Sequence, residues 1–172
     1  MSHIRNCIWL DGTAEEAAAF YTTVLRGGRI GTTARYTPEM AEASGGRVGD
    51  VVTVAFEAEG QQFMALNGGN HFDITPGISF MVERETQDGI DELWEALSEG
   101  GQPMACGWVT DRFGVSWQVI PSQMMEWMHS GDLEALRRMW AAMLEMTKLE
   151  LAPLKAAFEG TTAVGAGSQG NV

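Results

Sequence analysis

The chain has 172 residues, 45% hydrophobic and 20% charged, a balance that suits one compact domain or two small modules sharing a core and argues against an unfolded tail. Acidic residues outnumber basic ones 23 to 11, giving a formal charge of −12, and the basic residues are scattered from Arg5 to Lys155. Neutralising phosphates takes clustered Lys and Arg, so neither nucleic acid nor an anionic membrane is an expected partner.

In chain order, the start holds no signal-peptide core, and no stretch reaches the roughly 20 apolar residues that cross a bilayer. Cys7 and Cys106 show neither metal-ligand spacing nor a disulfide framework, so a cytoplasmic, reducing location is expected. A short apolar strand, Cys7-Ile8-Trp9-Leu10, ends on Asp11. The helix that follows puts Ala14, Ala17, Ala18, Tyr21, Val24 and Leu25 on one face; Thr13 and Glu16 form a capping box, and Gly27-Gly28 stops it. Residues 32–49 are small and polar and predict a surface loop. Strand-like runs over 50–57 and 61–66 come next, joined at Glu59-Gly60.

The same order then repeats. Ser79-Phe80-Met81-Val82-Glu83 predicts a strand, Ile90, Leu93, Trp94 and Leu97 mark a helix, Gly100-Gly101 ends it, and runs over 104–110 and 115–120 predict a hairpin. The fold class is therefore α+β: two βαββ modules, each unable to bury its sheet alone, paired into a curved mixed sheet whose concave face makes a pocket. The excess of glycine, 21 residues, punctuates this repeat. Past Pro121 the chain turns to helix formers, with Leu133, Leu136, Trp140, Met143 and Leu144 in a stripe after the cap Asp132, and Leu151, Leu154 and Phe158 on a last helix. The expected divisions are 1–70, 71–121, a helical extension over 122–159 that includes a subunit contact, and an uncharged, disordered end over 160–172.

The opening Ile8-Trp9-Leu10-Asp11-Gly12-Thr13-Ala14-Glu15-Glu16-Ala17 with Phe20-Tyr21, the block Phe63-Met64-Ala65-Leu66-Asn67-Gly68-Gly69, and the block from Cys106 to Gln118 resemble the PhnB-like branch of the vicinal oxygen chelate (glyoxalase/bleomycin-resistance) superfamily. The resemblance runs over about residues 4 to 158. Members of the branch often carry the name 3-demethylubiquinone-9 3-methyltransferase. A methyl donor is commonly held by a glycine-rich turn between a strand and a helix. The candidate here, Arg26-Gly27-Gly28-Arg29-Ile30-Gly31, follows a helix instead. The resemblance also implies a divalent metal on His and Glu ligands from the first and last strands of each module. The glutamate positions fall on Met64 and Gln118, the histidine positions on Asn6 and Ser79, while His3, His71 and His129 lie elsewhere. No metal and no cofactor are expected.

Five residues are candidates for contacting a ligand. Gln118, at the old ligand position, can orient a substrate by donating and accepting hydrogen bonds, or tie neighbouring strands. Trp9 and Trp108 offer aromatic faces to a planar molecule or belong to the core; alternation turns Trp117 to the opposite side from Gln118. Asn67 projects an amide to the pocket mouth or turns the chain. Cys106 is a thiol at the pocket or a small apolar residue, and Asp111-Arg112 reads as hairpin-turn chemistry. The expectation is a homodimeric protein that binds a small organic molecule in a metal-free pocket; the alternatives are an enzyme using Gln118 and Asn67 or an atypical metal site, and the named methyltransferase.

Overall fold

A computed structural model describes residues 4–161. The chain divides into two compact units: the first runs to Pro76 and includes Phe113–Val115, and the second runs from Gly77 to Arg112 and resumes at Ser116. Each carries a four-stranded mixed sheet, so the α+β class and the repeat are as expected.

The first unit is built from β1 (Asn6–Leu10), α1 (Ala14–Val24), β2 (Arg29–Arg35), α2 (Pro38–Ser44), β3 (Val51–Ala58) and β4 (Gln61–Asn67), in the sheet order β1-β4-β3-β2. β1 runs parallel to β4, and the other pairs are antiparallel. Ala14, Ala17, Ala18 and Tyr21 are fully buried, because alanines at this spacing let α1 lie close to the sheet while Tyr21 stacks on Phe56 at 5.8 Å. The expected capping box does not form. Thr13 has φ −107° and ψ 16°, which is not the extended conformation that aims a hydroxyl over the first turn, and it makes no cap bond. Gly28 closes the helix as expected: a Cβ there would lie 1.9 Å from the Thr22 carbonyl oxygen.

Two expectations about connections are corrected. Residues 32–49 are not a plain loop: β2 occupies their beginning, and α2 follows with Thr37 accepting from the Met40 amide and Pro38 in the first turn. β2 escapes sequence reading because all seven of its residues are exposed, as befits an edge strand with no buried face to pattern. In the second unit the expected strand over 104–110 is broken. Cys106 (φ 62°) and Gly107 (φ 79°) turn left-handed, which leaves β6 (Gln102–Pro103) and β7 (Trp108–Thr110) on either side. Each module therefore has one strand more than expected: the second reads βαβββ, and the first reads the same but for α2 set between its second and third strands.

The second unit also contains β5 (Phe80–Arg84), α3 (Gln87–Ser98) and β8 (Ser116–Pro121), in the sheet order β5-β8-β7-β6, followed by α4 (Ser122–Met128), α5 (Leu133–Leu144) and α6 (Leu151–Glu159). These last helices share a core with the sheet: Ile120, Met124, Met139, Met143, Leu149 and Leu154 are all buried together. Backbone bonds reinforce it, since Cys106 and Gly107 donate to the carbonyls of Met146 and Thr147, both at 2.8 Å. Asp132 caps α5 through Ala135 as expected. The expected apolar stripe of α5 is only partly inward. Met143 is buried and Leu136 partly so, but Leu133, Trp140 and Leu144 are 78%, 40% and 67% exposed. The buried face is Ala135, Met139 and Met143, where flexible thioethers fill an uneven surface. No helix among the described residues is long and apolar enough to cross a membrane. Of the uncharged end over 160–172, residues 162–172 lie outside the described residues.

Candidate functional site

Alternation along the first sheet sorts its side chains into two sets. Ile8, Leu10, Val54, Phe56, Phe63 and Ala65 are buried on the helix side. The opposite, open face carries the residues between them. Cross-strand register arranges these in rows: Cys7 beside Met64 beside Ala55, and Gln62 beside Glu57 beside Arg29. The face holds a cleft of about 310 Å³ lined by Arg5, Arg29, Gly31, Ala55, Glu57 and Met64, among others. A register shift in β2 between Ile30 and Thr33 places Gly31 over the Ala55 carbonyl, which a Cβ would meet at 3.1 Å. The absent side chain keeps this part of the cleft open. Arg29 is paired to Glu57 at 2.8 Å, and the Arg5 guanidinium has no partner among the described residues. The rim thus holds two guanidiniums against one carboxylate, the reverse of the chain as a whole.

Trp9 shares this face, but its ring is held by the turn after β4. Its indole N–H donates to the Gly69 carbonyl at 2.7 Å, and it lies so close over Gly68 that a Cβ there would come within 2.2 Å of the ring. Phe72 meets it edge-on at 5.0 Å. Asn67 is engaged at both ends of its amide: the oxygen accepts from the Ala14 amide at 2.9 Å and the nitrogen donates to the Val51 carbonyl at 3.0 Å. It supplies the helix cap that Thr13 does not. A second, more polar cleft of about 520 Å³ is bordered by Asn67, Tyr36, Asp50 and Arg47, but within it Arg35 is already paired to Glu15 at 2.9 Å.

In the second unit Gln118 is the Cα partner of both Met81 and Trp108, so the three share one sheet face. Its amide nitrogen donates to the Ser79 hydroxyl at 2.8 Å, while its amide oxygen has no partner among the described residues. Trp117 faces the other way, is 1% exposed, and donates to the Asp111 carboxylate at 2.8 Å. Cys106 is partly buried against the core of the helical extension, the environment of a small apolar residue.

Register changes two expectations at the old metal positions, Asn6 and Ser79. The residue beside Met64 on β1 is Cys7, not Asn6, and the one beside Gln118 on β5 is Met81. The four positions present a thiol, two thioethers and an amide. Partial desolvation raises the pKa of the Cys7 thiol although the side chain is exposed. These groups do not fit a divalent ion that wants imidazole and carboxylate donors, and no group of three metal-capable side chains occurs among the described residues. A methyl-donor cradle does not fit residues 26–31 either, because Gly28 is pressed on the α1 backbone. Arg5, Arg29, Glu57 and Cys7 were missed in the sequence; the alternation of Gln62, Met64 and Leu66 against buried Phe63 and Ala65 was the signal for this face.

The profile of the family described as 3-demethylubiquinone-9 3-methyltransferase matches residues 2–120. Among solved structures, a PhnB protein from Bacillus cereus is similar at 29% identity and a TM-score of 0.62, over 70% of this chain and 100% of that one. Protein PA1353 from Pseudomonas aeruginosa is similar at 23% identity and a TM-score of 0.58, over 70% and 98%. A glyoxylase/bleomycin resistance protein/dioxygenase domain from Frankia sp. EAN1pec matches at 13% identity and a TM-score of 0.41, over 70% and 92%. No curated protein matches the chain.

Proposed function

The chain belongs to the 3-demethylubiquinone-9 3-methyltransferase family, and from that premise we propose that it binds a small, partly apolar organic molecule carrying an acidic or carbonyl oxygen, without a metal, on the open face of the first sheet. The observation that carries this reading is the juxtaposition of the Arg5 guanidinium, without a partner among the described residues, with an apolar floor of Met64, Ala55 and Gly31 in one cleft. Such a site combines contact area with one orienting charge, the usual composition of a small-molecule pocket. The methyltransferase of the family's name finds no support in residues 26–31. Turnover through polar side chains would fall to Gln118, whose amide oxygen has no partner among the described residues, because Asn67 is committed to its cap. The protein acts in the cytoplasm as a homodimer in this reading.

The test uses 8-anilinonaphthalene-1-sulfonate, an aromatic sulfonate, titrated into the folded full-length chain. Saturable fluorescence is expected. Arg5→Ala weakens it about tenfold, equivalent to about 1.4 kcal/mol, and Met64→Glu abolishes it with the circular dichroism unchanged. Binding that ignores both substitutions would sink the proposal.

A further inference from the structure

We propose that the polar cleft where β1 and β4 finish is a second binding site, for a small diamino monocarboxylic acid whose carboxylate is taken by Arg47 and whose two ammonium groups are taken by Asp11 and Asp50. It lies at the opposite end of the first sheet from the cleft that holds Arg5, among the residues that end β1, β2 and β4 and begin β3. Its walls are held by bonds of the chain itself. Arg35 donates to the Glu15 carboxylate at 2.9 Å and to the Gly49 carbonyl at 3.1 Å, which ties α1 to the segment between α2 and β3. The Tyr36 amide donates to the Asp50 carbonyl at 2.9 Å, and the Gly49 amide donates to the Tyr36 carbonyl at 3.0 Å. The Tyr36 ring rests on Gly46, where a Cβ would come within 2.7 Å of it. The cleft of about 520 Å³ is therefore formed before anything enters it, and it falls within the roughly 300–1,000 Å³ of small-molecule sites.

The charges on its rim select the ligand. Arg35 and Glu15 neutralise each other, and the charged side chains left without a partner among the described residues are Asp11, Asp50 and Arg47. These three border one cleft and do not pair with one another. Two carboxylates and one guanidinium are matched by two cationic groups and one carboxylate on a single molecule. A simple anion would meet the carboxylates, and a simple amine would leave Arg47 unanswered. Spacing agrees with charge. Asp11 follows β1, Asp50 precedes β3 and β4 runs between those strands, so the two backbones stand two strand spacings, about 10 Å, apart. Side chains reaching inward from both sides shorten that to the separation of the two ammonium groups in extended lysine. Tyr36, half-buried, offers an aromatic wall to the aliphatic stem between them. The charge of −12 draws a ligand of net positive charge toward the chain. Asp11, Arg47 and Asp50 are exposed, and exposed ion pairs contribute little singly, so the complex belongs to the range of about 0.1–1 mM.

Calorimetric titration of L-lysine into the full chain is expected to give a saturable heat. Cadaverine, which lacks the carboxylate, norleucine, which lacks the second ammonium, and Nα-acetyl-lysine, which lacks the first, should each bind at least about fivefold more weakly. Arg47→Ala should weaken lysine by about fivefold and leave cadaverine as it was, while Asp50→Asn and, independently, Asp11→Asn should weaken both. The three side chains hold no bond among the described residues, so the circular dichroism of each variant should match that of the parent. Binding of the aromatic sulfonate at the other cleft should not respond to lysine, which keeps the two sites separately testable. No saturable heat from lysine up to about 10 mM overturns the proposal. Norleucine as tight as lysine overturns the diamino class, and Nα-acetyl-lysine as tight overturns the free amino acid in favour of a peptide ending in lysine. Lysine binding unmoved by Arg47→Ala and by both aspartate substitutions overturns the site.

Discussion

Asn67 shows how far one side chain reaches. From the end of β4 it caps α1 and holds β3, so a single amide fixes the mutual positions of three elements of the first unit. Asn67→Ala removes both bonds and strands the first amide of a buried helix end. It should cost about 1–2 kcal/mol in urea unfolding. Thr13→Ala, at the position local sequence pattern marks as the cap, should cost no more than about 0.5 kcal/mol, and equal losses from the two would refute this assignment. A capping box is read from residues three apart, whereas this cap comes from 53 residues away, which is why the sequence pointed to the wrong oxygen. Trp9, Asn67 and Gln118 were singled out as candidates for contacting a ligand from their residue types and positions, but what surrounds them is set by register. Gly69 and Ser79, the partners that occupy Trp9 and Gln118, are visible only once the strands are aligned.

Helices proved legible wherever one face is buried, as in α1 and α3, because the period of burial is the period of the sequence. Strands β2 and β6 were not, since both are exposed edges and bury nothing that could alternate. The helical extension was seen, but its inward face was misjudged by a fraction of a turn because α5 has two apolar stripes. Its docking on α3 depends on polar ties. Gln87 donates to the Leu149 carbonyl and accepts from the Leu151 amide, and Lys148 pairs with Asp91. Hydrogen bonds from Lys148 and Gln87 hold the Asp91 carboxyl below its usual pKa, and the bond to Asp91 raises that of Lys148. The Asp91 contribution is therefore present above the ordinary carboxylate range and is lost as pH falls through the lowered value. The Lys148 contribution is present below the ordinary lysine value and is lost as pH rises through the raised one. Asp91→Asn should accelerate hydrogen exchange at the Cys106 and Gly107 amides at neutral pH by less than tenfold, since both partners are about a third exposed. The difference from the parent chain should vanish in strong acid; a difference that persists there would mean that the pair is not its source.

At the scale of the molecule, two related units differ in how they are completed. The first closes its core with its helix, its sheet and Phe113, whose ring meets Tyr21 edge-on at 5.8 Å, while the second draws Met139, Leu149 and Leu154 from the extension. Met139→Ala, which empties a fully buried site, should destabilise by about 2–5 kcal/mol, with the loss read in exchange of the Val119 amide and not of Val54; equal effects at both would show that the units do not unfold separately. Charge is distributed as unevenly as the core. At a distance of about 20 Å a charge of −12 repels a single anion by about 2.5 kcal/mol in unscreened water, far more than one net guanidinium at the cleft can offset from there. At physiological ionic strength the Debye length of about 8 Å removes most of that repulsion. The Arg5 contact acts only at short range and survives better. Raising salt from about 10 to about 150 mM should therefore speed association of the aromatic sulfonate, the opposite of what a basic protein does, and Arg5→Ala should weaken binding at both salt concentrations without changing the direction of the rate effect. A rate that falls with salt would mean that the local guanidiniums, not the acidic whole, govern the approach of the ligand.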